Sequence, residues 1–184
     1  MRDTNDILSW LGSDSRGVPL YLHPLNLVWS PDGAERDLLS FQRVAVRLHA
    51  NHALWSAAIR DTGWRVTLAA CVCLIVARER GFFRDLCDTF EQGSWVLPQI
   101  AVTLGLLHPI ESRRFFEAFL ASAHDRSPKH IVSAQRVLER LGALPNAALS
   151  LSRWSGAEAD DAATANDVVL RHWEFWSSRN APSV

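Results

Sequence analysis

The chain has no membrane-length apolar run, no even cysteine set and no excess of either charge, and each absence removes a class of function. Its most apolar stretches, VTLAACVCLIVA (66–77) and WVLPQIAVTLGLL (95–107), are twelve and thirteen residues long, against roughly 18 to 20 for a spanning helix. Both read as helices buried within a protein. The opening MRDTNDILSW has acids among its first residues and no apolar run of signal-peptide length, so a cytoplasmic location is expected. The three cysteines, at 71, 73 and 87, are an odd count in apolar surroundings and read as reduced core thiols. Cys71 and Cys73, two apart on a predicted helix, point about 200° from each other and cannot chelate one ion together.

Nineteen basic and twenty acidic residues nearly cancel, and they cancel by halves: ten against eleven in 1–92, nine against nine in 93–184. This gives no basic footprint for nucleic acid. Eighteen of the nineteen bases are Arg, a side chain suited to carboxylates and phosphates. No phosphate-binding P-loop, dinucleotide fingerprint, nucleophile elbow or zinc-protease pattern occurs. The expectation is a non-catalytic protein without metal or cofactor. What is present suits a folded core: 48% apolar residues, eight Trp and eight Phe in 184 residues, enough for one domain without staples.

Helical periodicity runs through most of the sequence. Thr4–Leu11 predicts a short helix stopped by Gly12, and GSDSRGVPLYLHPLN an irregular or partly extended connection. Ser30-Pro31 offers a cap followed by a first-turn proline. Leu38, Phe41, Ala45, Leu48, His52, Trp55 and Ile59 then mark one face, with a break near Ala50-Asn51. Asp61 or Thr62 can cap a central, nearly all-apolar helix from Trp64 to Arg78. Gly81–Glu91 is amphipathic, with Phe83, Leu86 and Phe90 on one stripe. Ser94 can cap a helix from Trp95 to Leu107, with Pro98 near its first turn and His108-Pro109 ending it. Ile110–Ala121 and Pro128–Leu141 follow. After LSLSRWSGAEADDAATAND, a Ser, Ala and Asp-rich connection, a last helix carries Val169, Trp173 and Trp176 at spacings of four and three.

Two of these units match. Trp64 and Trp95 each follow a small turn residue and open an unusually apolar helix, and each is followed by a Phe-rich amphipathic helix. The offset is 31 residues between the Trp residues and 33 between Phe82-Phe83 and Phe115-Phe116. Ser127 onward can begin a third, weaker unit. A period of this length built from one buried and one half-buried helix resembles the HEAT or armadillo-like class of helical repeats, over about residues 34 to 142. The sequence lacks that class's repeated Pro kink and evenly placed Asp-Arg pair. The resemblance implies an all-α fold: a compact right-handed α-solenoid of two to three helix pairs in one domain. Residues 1–33 would form an N-terminal helix and irregular cover, 34–142 the repeat core, and 143–184 an acidic connection and capping helix.

Stacked this way, the second helices of the pairs would line one broad surface. Arg84, Asp88 and Glu91 on the first, with Arg113, Arg114 and Glu117 on the second, then form a charged strip offered to a protein partner. The corresponding function is a protein-binding module, for example a small bacterial immunity or inhibitor protein recognising one partner. A rival reading places an enzyme or metal or small-ligand binder at a pocket near Tyr21, His23, His49 and His52, the last two lying three apart. A nucleic-acid-binding solenoid using the same Arg residues is a third, which the balanced charge disfavours. His108, at the end of a helix, is accounted for by hydrogen bonding to the last carbonyls. Asp85 with Asp88, and Asp160 with Asp161, read as exposed acids rather than catalytic pairs. Whether Trp10, Trp29, Trp154, Trp173 and Trp176 are packed or exposed decides whether they, instead of the strip, form the interface.

Overall fold

The computed structural model describes residues 4–29, 33–122, 125–143 and 153–180. Among them it is all-helical, as the periodicity predicts, with α1 (Asn5–Leu11), a 3-10 turn (Leu20–Leu22), α2 (Ala34–His49), α3 (His52–Ile59), α4 (Trp64–Ala77), α5 (Phe83–Gln92), α6 (Leu97–Leu107), α7 (Pro109–Ala121), α8 (Pro128–Arg140) and α9 (Ala157–Asn180). The proposed Ser30-Pro31 helix start lies outside the described residues; α2 begins after Gly33. No helix among the described residues is long and apolar enough to cross a membrane. The helices fall into two compact units, 1–96 and 97–184.

The first unit is built around α4. Val66 to Ile75 are buried without interruption, because α1, α2, α3 and the 3-10 turn all pack against this helix. A helix apolar on every side needs neighbours on every side. Its polar side chains are satisfied locally: Thr67 Oγ1 donates to the Asp61 carbonyl at 3.1 Å and Cys73 Sγ to the Phe41 carbonyl at 3.5 Å. Gly63, not Asp61 or Thr62, occupies the N-cap position, and Asp61 Oδ1 instead accepts from the Gly63 N–H at 2.7 Å.

The predicted break after α2 is real. Asn51 takes φ −136° and its Oδ1 accepts from the Leu54 N–H at 3.0 Å, starting α3 afresh. Leu38, Phe41, Ala45, Leu48, Trp55 and Ile59 are buried as the face required. His52 is a correction: the new start turns it out to solvent, where it lies on Phe82 with ring centroids 4.4 Å apart. α5 packs on α3, and the seam is polar. Arg60 Nη2 reaches Asp85 at 2.8 Å and Asp88 at 2.7 Å, Ser56 Oγ donates to Asp85 Oδ2 at 2.7 Å, and Thr89 Oγ1 donates to the Ile59 carbonyl at 3.2 Å.

The irregular segment of this unit is tied down. Asp14 accepts from the backbone N–H of Arg16 and Val18 at 2.8 and 2.9 Å, closing a loop whose ends meet at a bridge between Ser13 and Pro19. Beyond it His23 is buried, with Nδ1 2.6 Å from Asp37 Oδ2 on α2 and Nε2 3.5 Å from Asp14 Oδ2. The imidazole therefore ties the segment to α2.

The second unit repeats the theme around α6, whose residues 97–105 and Leu107 are buried against α7, α8 and α9. Thr103 Oγ1 donates to the Gln99 carbonyl at 2.8 Å, the usual resolution for a hydroxyl inside an apolar helix. Gly105 marks the tightest approach: a Cβ there would lie 2.6 Å from Val137 Cγ1 and 2.7 Å from Trp173 Cζ3. α9 carries Val169 and Trp176 fully into this core, and Trp173 is half-buried. Trp154 packs on Val132, Ala162 and Ala165, while Trp10 and Trp29 in the first unit are half-buried.

One feature of the matched starts differs. Trp64 is the first residue of α4 and half-buried, whereas α6 begins only at Leu97, leaving Trp95 in the preceding turn and 79% exposed. Ser94 Oγ accepts from the Val96 N–H at 3.3 Å within that turn.

Candidate partner-binding site

Helix α7 begins at a junction made by one residue. The His108 N–H donates to the Leu104 carbonyl at 2.8 Å, closing α6, and the His108 carbonyl accepts from Ser112 N–H at 2.8 Å, opening α7. Pro109 fits the first helical position, where its missing N–H costs nothing. Phe116 and Phe119 turn inward and are buried, so the opposite face, with Arg113, Arg114 and Glu117, is left in solvent.

That outer face is concave. Pro109, Ile110, Arg113, Arg114 and Glu117 of α7, with Leu141 at the end of α8, line a groove of about 430 Å³. Three of the six residues expected to contact a partner therefore share one depression. The other lining residues, Pro109, Ile110 and Leu141, were not among the expected contacts. Ile110 is 68% exposed, a large aliphatic side chain left in water beside two guanidinium groups. Arg113 Nε is 3.0 Å from Glu117 Oε1 across one helical turn. Arg114 makes no ion pair among the described residues, so the groove carries one positive charge beyond what its own carboxylate offsets. This combination of aliphatic and arginine side chains lining one groove is chemistry for a carboxylate next to an apolar side chain.

The other three expected residues lie on α5 in the first unit. Arg84 and Glu91 are exposed. Asp88 is engaged by Arg60, as is Asp85, so these two acids serve the α3–α5 seam. The structure places these three and the α7 residues on separate units.

The histidines do not assemble as one pocket by their contacts. His23 is buried between Asp37 and Asp14. His49, at the end of α2, is exposed and 3.7 Å from Glu79. His52 stands on a different helix against Phe82. Among the described residues no group of three or more His, Cys, Asp or Glu is arranged to hold a metal ion. Burial pushes the Asp14 carboxyl up, but hydrogen bonds from the Val18 amide and from the Arg16 side chain and amide outweigh it, and the group sits below its ordinary value.

The three thiols are buried and free of disulfides. Burial, with a small contribution from Cys71, raises Cys73 far above the ordinary thiol range, and burial with Glu91 and Asp88 pushes Cys87 up to about 12. Neither is a nucleophile at neutral pH. No family model matches the chain, and no curated protein or solved structure is measurably similar to it.

Proposed function

We propose that this chain is a non-catalytic, cytoplasmic protein-binding module that holds one specific protein partner, as a small bacterial immunity or inhibitor protein does. The observation that carries the reading is the α7 groove, where exposed Ile110 meets Arg113 and Arg114. Arginine is among the residues enriched in energetically dominant contacts, and the exposed Ile110 beside it supplies apolar surface for a partner to bury. The finer fold reading, a right-handed α-solenoid of two to three helix pairs, is supported by a nearly all-apolar helix at the centre of each unit, each followed in the chain by an amphipathic helix.

The test is capture of partners by the tagged protein from a lysate of the cells that make it, compared with an Arg113→Glu, Arg114→Glu variant of unchanged circular dichroism and melting. One stoichiometric protein retained by the wild type and lost by the variant supports the groove. Equal retention by both places the interface elsewhere. Metal analysis of the purified protein tests the rival reading: stoichiometric metal lost on replacing His49 and His52 would favour a metal-dependent enzyme.

A further inference from the structure

A second surface, independent of the α7 groove, lies on the outer face of α2. This helix buries Asp37, Leu38, Phe41, Val44, Ala45 and Leu48, which fixes the opposite arc in solvent. On that arc Leu39 and Val46 are 50% and 75% exposed. They stand seven residues apart and therefore in line along the helix, two turns from each other. Ala50, also exposed, continues the row one turn further.

Arginine occupies one flank only. By the helical rotation of about 100° per residue, Arg36, Arg43 and Arg47 fall within an arc of about 40° immediately beside the aliphatic row. All three are exposed. Arg47 is steadied by Trp10, its guanidinium carbon 5.7 Å from the ring centroid. Arg43 makes no ion pair among the described residues. The other flank holds Glu35, Gln42 and, further round, His49 paired with Glu79, so the guanidinium groups all lie on one side. A merely solvated face has no requirement for aliphatic side chains in line, nor for all its guanidinium groups on one side of them.

We infer that the outer face of α2 docks an amphipathic helix of another protein, one that presents aliphatic residues seven apart with a row of Glu or Asp along a single flank. The apolar rows would meet along the contact, and the carboxylates would fall opposite Arg36, Arg43 and Arg47, where guanidinium groups bind them bidentately. A second copy of this chain is a poor occupant. An antiparallel two-fold pairing of α2 sets the arginine row against itself. A parallel one sets it against the Gln42 and Glu35 flank, which offers one carboxylate to three guanidinium groups. Nucleic acid gives the aliphatic row nothing to bury against, and the exposed arc of α2 itself carries no aromatic residue for stacking bases, Trp10 beside it being half-buried under Arg47. Two large aliphatic side chains are too few to hold the protein on a lipid surface.

The test titrates the full-length isotope-labelled protein with a synthetic helical peptide of about five turns. The peptide carries Leu seven apart and a one-sided Glu row; its controls are a scrambled isomer and a version with Lys in place of Glu. Expected are amide shift changes centred on α2 with the Glu peptide, and binding at least about tenfold weaker for Arg43→Glu or Val46→Asp. An Arg36→Glu, Arg43→Glu, Arg47→Glu variant should exchange its preference for the Lys peptide. These positions are exposed, so melting temperature checks that the variants stay folded. The proposal is overturned if the scrambled isomer binds equally, if no shifts appear on α2 at about millimolar peptide, a weak affinity for any specific contact, or if a duplex oligonucleotide or anionic vesicles perturb α2 where the Glu peptide does not.

Discussion

Gly105 → Ala should destabilise the second unit although alanine is the better helix former. In an exposed helix interior the change would gain about 1 kcal/mol. Here the new Cβ would stand 2.6 Å from Val137 Cγ1 and 2.7 Å from Trp173 Cζ3, where carbon atoms rest at about 3.5–4.0 Å. Roughly 1 Å must be found on two sides at once. Val137 is fully buried in α8 and cannot retreat without disturbing its own neighbours, whereas half-buried Trp173 can tilt outward. Overpacking of this kind costs about 1–3 kcal/mol, and the immovable Val137 puts the cost near the upper end. After the propensity gain the expected net loss is about 2 kcal/mol. Urea unfolding followed by tryptophan fluorescence measures it directly. A second arm isolates the cause: in a Val137→Ala background the methyl has room, and Gly105 → Ala should cost less by at least about 0.5 kcal/mol. A variant as stable as the wild type, or one equally damaged in both backgrounds, would refute the steric argument.

Replacing His23 by Ala should cost about 1–3 kcal/mol, the usual cost of removing one partner from a buried hydrogen bond, and should loosen the segment before α2; hydrogen exchange unchanged at Leu20 and Leu22 would contradict this. The Asp14 carboxyl, held below its ordinary value in the folded state, contributes stability above about pH 4 that is lost as pH falls through its depressed pKa. Asp14→Asn should accordingly flatten the acid limb of a stability–pH curve, and an unchanged limb would show that the loop hydrogen bonds carry no such linkage. Thiol labelling at pH 8 should be slow for Cys71, Cys73 and Cys87 in the native protein and fast in urea, since all three are buried; rapid native labelling would sink the inert-core reading. Trp95→Ala should change stability by less than about 0.5 kcal/mol, as for other surface sites, and a large loss measured by thermal unfolding would mean that Trp95 packs as Trp64 does.

Much of the architecture was legible because it depends on local composition. The central helices α4 and α6 announce themselves as apolar runs too long for a strand and too short for a membrane. The break after Ala50 was readable from Asn51, but its effect on His52 was not. Continuing one helical phase through the break keeps His52 on the buried face, and only a restarted helix turns it outward. The matched Trp64 and Trp95 starts misled for a related reason. Pro98 has no N–H to give and is tolerated only in the first turn, so α6 begins at Leu97 and Trp95 is left behind in solvent. The His23 and Asp37 pairing, between side chains fourteen residues apart, has no signature in either local sequence.

The candidate contact surfaces divide along the same line. Arg113, Arg114 and Glu117 followed from phase alone, since the Phe116 and Phe119 face of α7 had to be inside. That they rim a concavity depends on Leu141, which enters only because α7 packs against α8. On α2 the arginine row needed no tertiary information at all, because Arg36, Arg43 and Arg47 share a flank by rotation. What the structure adds is that Leu39 and Val46 beside it are left 50% and 75% exposed. Helical phase thus says which side chains can share a surface, and packing decides whether that surface is left open. Exposed aliphatic side chains mark the open surfaces better than charges do, because solvation explains an exposed arginine but does not explain Ile110, Leu39 or Val46 standing beside arginine rows.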